Sequence, residues 1–180
     1  MSSSVRGAKE IAVPVSLFAS LRAELEKGAG MLETVRALHS AGYQAGLAAA
    51  KAVHKESGGD SLSLSEAGFW VSLSHYFERR GWGTLDHSTP HPGVGILSSS
   101  NWAEASPTET RADASCSFST GFLSGLLSQL AGGPIAVLEV GCRSRGADSC
   151  DFAFGSESAI HELYGRMLDG ATLQAALEAL

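Results

Sequence analysis

Residues 116–154 read CSFSTGFLSGLLSQLAGGPIAVLEVGCRSRGADSCDFAF, and the change of hydrophobic period inside that stretch decides the fold. Phe118, Phe122, Leu126 and Leu130 recur every four residues, which predicts a helix over 117–131, with Gly121 and Gly125 leaving a shallow strip beside the stripe. Gly132, Gly133 and Pro134 stop it. Residues 135–142 (IAVLEVGC) are rich in Ile, Val and Leu, 143–149 (RSRGADS) carry turn chemistry, and 150–154 (CDFAF) resume as strand. A helix therefore leads into an antiparallel hairpin.

Working outward, 101–115 reads as a loop, and 82–86 and 93–99 read as two meander strands around a turn at 87–92 (HSTPHP). Three helices precede them. The first, 15–27, carries Leu17, Leu21 and Leu25 at four-residue spacing. The second, 31–56, keeps Leu32, Val35, Leu38, Leu47, Ala50 and Val53 in helical register and sets Gly42 and Gly46 four apart. That pair admits a close helix neighbour. Because Glu33, Arg36, Lys51 and Lys55 share the helix, ordinary packing is preferred to a homodimer contact. The third, 64–80, opens on a Ser63/Glu66 capping box and presents Phe69, Trp70, Leu73, Tyr76 and Phe77, a spacing that is more often core than pocket. Two further helices, 156–168 and 172–180, close the chain. The order indicates an α+β domain with an antiparallel sheet and packed helices over 16–180, after a mobile lead at 1–15 to which no function is assigned.

With 13 Lys+Arg against 19 Asp+Glu, a net charge of −6 and 44% hydrophobic residues, the chain is neither a disordered tail nor a basic nucleic-acid binder. No apolar run is long enough to span a bilayer, and MSSSVRGAKE lacks the pattern of a signal peptide. A cytoplasmic location is expected, where three cysteines point to metal or redox chemistry sooner than to disulfides.

Those cysteines are Cys116 at a helix start and Cys142 and Cys150 on opposite arms of the hairpin, with Glu139 three residues before Cys142. Glu139 and Cys142 differ in parity along a regular strand, so both reach one ion only if the chain bulges at Gly141. The helix terminus is expected to favour the Cys116 thiolate, and Arg143 and Arg145 to offset part of the charge. Soft ligands suit Zn²⁺ better than Mg²⁺ or Ca²⁺, and a closed four-ligand set would be structural. Buried hydrophobic cysteines and a surface Glu139 are an equal reading, which spacing alone does not decide.

The ordered set of cysteine, Gly-rich helix, Leu-Glu-Val-x-Cys strand, Gly-containing turn and Cys-x-Phe strand resembles the signature half of the 4-vinyl reductase domain family, over about 80–155. It is similar in particular to the effector-binding domains of aromatic-responsive bacterial activators. The resemblance implies a Zn²⁺ site at Cys116, Glu139, Cys142 and Cys150. It also implies the fold of vesicle-tethering TRAPP subunits and a homodimer formed through the N-terminal part. Asn101–Ser106 (NWAEAS) is similar to a tryptophan-containing pocket segment, which makes Trp102 the pocket candidate. His75 is placed near a helix surface, and His87 and His91 beside a turn, without inherited roles.

The leading expectation is a sensing module that holds a small hydrophobic or aromatic molecule between Phe69, Trp70, Leu73, Trp102, Phe118 and Phe122 and acts on a separate regulatory protein. An accessory factor or enzyme of tetrapyrrole (vinyl reductase) metabolism and a ligand-free interaction subunit are the alternatives. The sequence offers no catalytic constellation, no phosphate loop, no dinucleotide fingerprint and no DNA-reading helix. Glu104 and Glu109 read as solvated loop charges.

Overall fold

A computed structural model describes residues 10–56, 65–105 and 115–180. Six helices and four strands follow in the order α1 (Ser16–Ala29), α2 (Met31–Glu56), α3 (Glu66–Glu78), β1 (Asp86–His91), β2 (Val94–Ser99), α4 (Ser117–Ala131), β3 (Ala136–Gly141), β4 (Cys150–Gly155), α5 (Glu157–Leu168) and α6 (Leu173–Glu178). The sheet is antiparallel throughout, in the order β1-β2-β4-β3. The α+β expectation holds.

Strand alternation divides the interior into two cores. Leu97, Cys150 and Phe152 face a large core shared with α2, α3 and α4, while Val94, Ile96 and Ala153 face a smaller one under α5 and α6. Residues one apart on a strand thus serve opposite layers.

The tightest contact in the molecule crosses α2 with α4. A Cβ on Gly42 would lie 2.1 Å from the Phe118 carbonyl oxygen and one on Gly46 2.1 Å from that of Phe122. In return, Gly121 and Gly125 would meet the carbonyl oxygens of His39 and Tyr43 at 2.0 and 2.2 Å. Four glycines let the two backbones touch, so the Gly42/Gly46 face is spent inside the chain and is not free to pair with a second copy.

Two expectations need correction. Residues 87–91 form strand β1 itself, pairing Asp86 with Ser98 and His91 with Val94, and the reversal falls on Pro92 and Gly93. The turn-forming composition is tolerated because β1 is an edge strand: its register shifts between Ser88 and His91, where Pro90 has no N–H to contribute. On α1 the leucines point outward, Leu17 43% and Leu21 42% exposed, and the inward face carries Phe18 and the buried Arg22. α3 is capped by Ser65, whose hydroxyl accepts from the Gly68 N–H at 3.2 Å; Ser63, the expected cap, lies outside the described residues, as do 1–9 of the lead.

Candidate metal centre and ligand clefts

Cys116 is the N-cap residue of α4, Glu139 is on β3, Cys142 follows β3, and Cys150 opens β4. Val137 shares the large-core face with Glu139, and Leu138 and Val140 take the other. By parity Cys142 belongs with Leu138. The β3–β4 register slips between Glu139 and Gly141, two residues opposing one, and this bulge returns Cys142 to the side of Glu139. The turn that follows closes with the Arg145 and Ala147 N–H groups donating to the Cys142 carbonyl and with Gly146 at φ 88°, a left-handed position that glycine fills without strain.

One donor atom from each of the four residues lies within 4.8 Å of all the others. The thiols of Cys116 and Cys150 are 3.9 Å apart. Tetrahedral ligation with metal–sulfur bonds of about 2.3 Å sets sulfurs about 3.8 Å apart, whereas a disulfide needs about 2.05 Å. Glu139 Oε2 accepts from the Cys116 N–H at 3.0 Å, while Oε1 is buried without a hydrogen-bond partner. An orphaned carboxylate oxygen beside three buried sulfurs is what an absent cation would satisfy. These four residues could hold a metal ion, and the donor chemistry suits a soft divalent one.

Without an ion the cluster shares protons. The Cys116 and Cys150 thiols bond the Cys142 sulfur and hold its ionisation far below the usual thiol range, with Glu139 and Ser115 adding hydrogen bonds. Cys116 is pushed far up by the same sulfur contacts and by burial. Cys150 is drawn down by Cys116 but raised by Cys142 and burial, to about 12. Burial first, then the Cys142 charge, lifts Glu139 to about 8. The thiolate expected at the helix terminus is therefore Cys142, because two S–H donors outweigh the helix end. A cation entering this set displaces protons.

The cationic support also differs from expectation. Arg145 is exposed, and Arg143 acts on Cys150 through its backbone. The buried cation is Arg22 of α1, 6% exposed, which donates to the Ser115 carbonyl and to Ser117 Oγ at 3.1 Å, on either side of Cys116.

Glu104, read from sequence as a solvated charge, is 7% exposed. Its carboxylate accepts from the Phe118 N–H at 3.0 Å, from the Ser119 N–H at 2.7 Å and from the Ser119 hydroxyl, and lies 3.9 Å from Arg22. It is the anion that the N-terminus of α4 requires. Ser119 Oγ in turn accepts from Trp102 Nε1 at 2.7 Å. A polar chain thus joins Arg22, Glu104, Ser119 and Trp102. Burial raises the Glu104 carboxyl to about 7 from 4.5 against the pull of these donors. A carboxyl whose folded pKa is raised favours folding below its unfolded pKa, and that contribution declines as pH rises from 4.5 to about 7. Urea unfolding across that interval should show stability falling in the wild type relative to Glu104→Gln; parallel profiles would contradict the assignment.

The pocket candidates separate into two groups. Trp102, 1% exposed, packs against Phe77 at 5.2 Å, Phe152 at 5.6 Å and Trp82 at 5.7 Å between ring centroids. Trp82 links it to Phe118 at 5.9 Å and Phe122 at 6.1 Å. Phe69 instead meets Trp70 at 4.8 Å, and Trp70 stacks on His87 at 3.9 Å. Leu73 is core at 1% exposure, His75 is exposed, and His91 Nδ1 accepts from the Gly93 N–H.

Two clefts flank these groups. A groove of about 900 Å³ between α3 and β1 is walled by Trp70, Val71, Ser74 and His87 and rimmed by Glu66, Glu78 and Asp86. A cleft of about 530 Å³ has Ala45, Ala48, Ala49, Trp82 and Phe122 for its apolar floor, Tyr76, Arg79 and Arg80 on one rim, and residues 10–12 on the other. Phe122 lines the second and Trp70 the first; Trp102, Phe69, Leu73 and Phe118 line neither.

Among curated proteins none matches the chain by sequence. By structure it is similar to the phenol-responsive sensory domain of the transcription activator PoxR with phenol, at TM-score 0.67 and 18% identity over 86% of this chain and 82% of that one. It is similar to trafficking protein particle complex subunit 3 from Naegleria fowleri covalently bound to palmitic acid, at 0.64 and 12% over 78% and 91%. A vinyl-4-reductase family protein from Methanocaldococcus jannaschii matches at 0.53 and 19% over 81% and 83%. At such identities these likenesses establish the fold. Residues 101–156, which hold Trp102, Glu104 and all four clustered donors, match the model of the 4-vinyl reductase domain family, and the chain resembles that family through this segment.

Proposed function

We propose that this chain is a zinc-braced binding and sensing domain for a small hydrophobic or aromatic molecule, acting in trans on a regulatory protein. The observation that carries the reading is that α4 serves both ends of the device. Cys116 at its N-cap belongs to the donor cluster, Ser119 one turn later holds the Trp102 indole, and Phe122 floors the smaller cleft. Zinc at Cys116, Glu139, Cys142 and Cys150 would fix the start of that helix to the β3–β4 hairpin; bound there, it supplies rigidity in place of catalysis.

The ligand sits in the cleft over Trp82 and Phe122, with Trp102 and Phe118 packed behind them, and Phe69, Trp70 and Leu73 stiffen the neighbouring α3. A cleft of about 530 Å³ is of the size that small ligands occupy. The phenol-responsive domain among the structural relatives supports an aromatic ligand. Outward-facing Leu17, Leu21, Met31 and Leu32, each 42–63% exposed, support a homodimer built on α1 and the start of α2. Among the described residues no helix is long and apolar enough to cross a membrane.

Elemental analysis of the purified chain should find about one zinc per chain, and native mass spectrometry a co-purifying apolar mass. Phenol binding by calorimetry should weaken roughly ten-fold in Phe122→Ala, the worth of an aromatic contact, and in Trp102→Ala, with metal content unchanged in both. Unaltered phenol affinity in both variants would move the ligand elsewhere. The ligand-free interaction subunit has one observation on its side, the close packing of Trp102 among Phe77, Trp82 and Phe152. Absence of phenol binding in the wild type would favour it.

A further inference from the structure

The smaller cleft is not purely apolar, and its polar rim is already engaged by the chain itself. Arg80 Nε donates to both carboxylate oxygens of Glu10, at 3.0 and 3.1 Å. The guanidinium lies 3.7 Å over the Tyr76 ring, and its Nη1 donates to the Tyr76 carbonyl at 3.1 Å. These contacts orient the arginine toward the cleft mouth independently of Glu10. Glu10 comes from the lead before α1, seventy positions away in sequence, and with Ile11 and Ala12 forms one wall of the cleft. Its side chain remains half exposed, against 21% for Arg80.

From this geometry we infer that the cleft takes a monocarboxylate with an apolar body, whose carboxylate binds Arg80 in the place now held by Glu10. The inference rests on the proposed ligand cleft and adds the charge of the ligand and the segment it displaces. An apolar floor of alanines, Trp82 and Phe122 beneath an arginine held by an aromatic ring matches an amphipathic anion at both of its ends. Glu10 shows that a carboxylate fits the arginine. A surface ion pair of this kind is weak enough to be exchanged. The incoming anion brings its own buried tail, whereas Ile11 beside Glu10 is 86% exposed and contributes little burial. Ligand entry therefore frees residues 10–12 from the rim, next to the outward leucines of α1.

Octanoate and its neutral isostere octanamide, titrated into the full chain by calorimetry, separate charge from apolar contact. Wild type should bind octanoate at least about ten-fold more tightly, the upper range of a hydrogen bond to a charged group. Arg80→Gln should reduce that ratio to near one without weakening octanamide, and Arg80→Lys should restore part of it. Glu10→Gln should tighten octanoate about two- to five-fold by removing the competing carboxylate. Amide exchange at residues 10–15 should quicken when octanoate is added, and not in Arg80→Gln.

A ratio that survives in Arg80→Gln, or octanamide binding as tightly as octanoate in the wild type, overturns the inference. Phenol binding without binding of either octanoyl compound overturns it while leaving the ligand cleft standing. If none of the three binds, cleft and inference fall together.

Discussion

Gly125→Ala is expected to cost the fold several times what an ordinary helix glycine would, and Gly46→Ala the same. The new methyl carbon would stand 2.2 Å from the Tyr43 carbonyl oxygen in one case and 2.1 Å from that of Phe122 in the other, with further backbone atoms at 2.7–3.1 Å. Backbone cannot rotate aside as a side chain can, so α2 and α4 must separate and the packing between them opens. Overpacking of this kind costs about 1–3 kcal/mol and sometimes more. Gly28→Ala is the internal control: nothing lies within 4 Å of its would-be Cβ, and in the last turn of α1 alanine should be neutral or stabilising by up to about 1 kcal/mol. Urea unfolding midpoints should move in opposite directions. A Gly125→Ala midpoint level with that of Gly28→Ala would show that the two helices are not in contact.

Cys142→Ala and Cys150→Ala are expected to lose bound metal and much of the stability with it. Each removes one of three sulfurs and leaves a buried carboxylate facing a broken set, and metal affinity in such a centre is folding energy. In zinc-dependent folds that energy reaches about 10–16 kcal/mol; here two apolar cores carry part of the load, so the variants should melt earlier without being wholly unfolded. A chelator should bring the wild type down toward the variants and change the variants little. Metal content equal to wild type in both would remove the centre and leave the cysteines as core.

The elements read correctly from the sequence are those where one period dominates. α2 and α4 fall where the four-residue spacing of their apolar positions put them, and the parity conflict between Glu139 and Cys142 foretold the bulge at Gly141. What escaped was decided by partners distant in the chain. HSTPH has the composition of a turn and becomes a strand because β2 offers a ladder. Glu104 lies in a stretch of polar residues and is buried because the first N–H groups of α4 need an acceptor. Arg22 follows a leucine and looked peripheral to the Leu17, Leu21, Leu25 stripe; it turns inward because Ser115 and Ser117 flank the donor cluster. None of these three carries a local signal. Each is set by an element at least fourteen residues away, except β1, whose signal was misread because the penalty for proline is small at an edge.

The two outer strands of the sheet, β1 and β3, share a property beyond their positions: both are irregular, β1 between Ser88 and His91 and β3 between Glu139 and Gly141. A straight open strand is a template on which another chain can lay down its own backbone, and kinked margins deny that template. The bend that brings Cys142 beside Glu139 therefore also guards one margin of the sheet against fibrillar stacking, as Pro90 guards the other. Loss of the β3 irregularity would be felt twice, as a scattered donor set and as a newly adhesive edge.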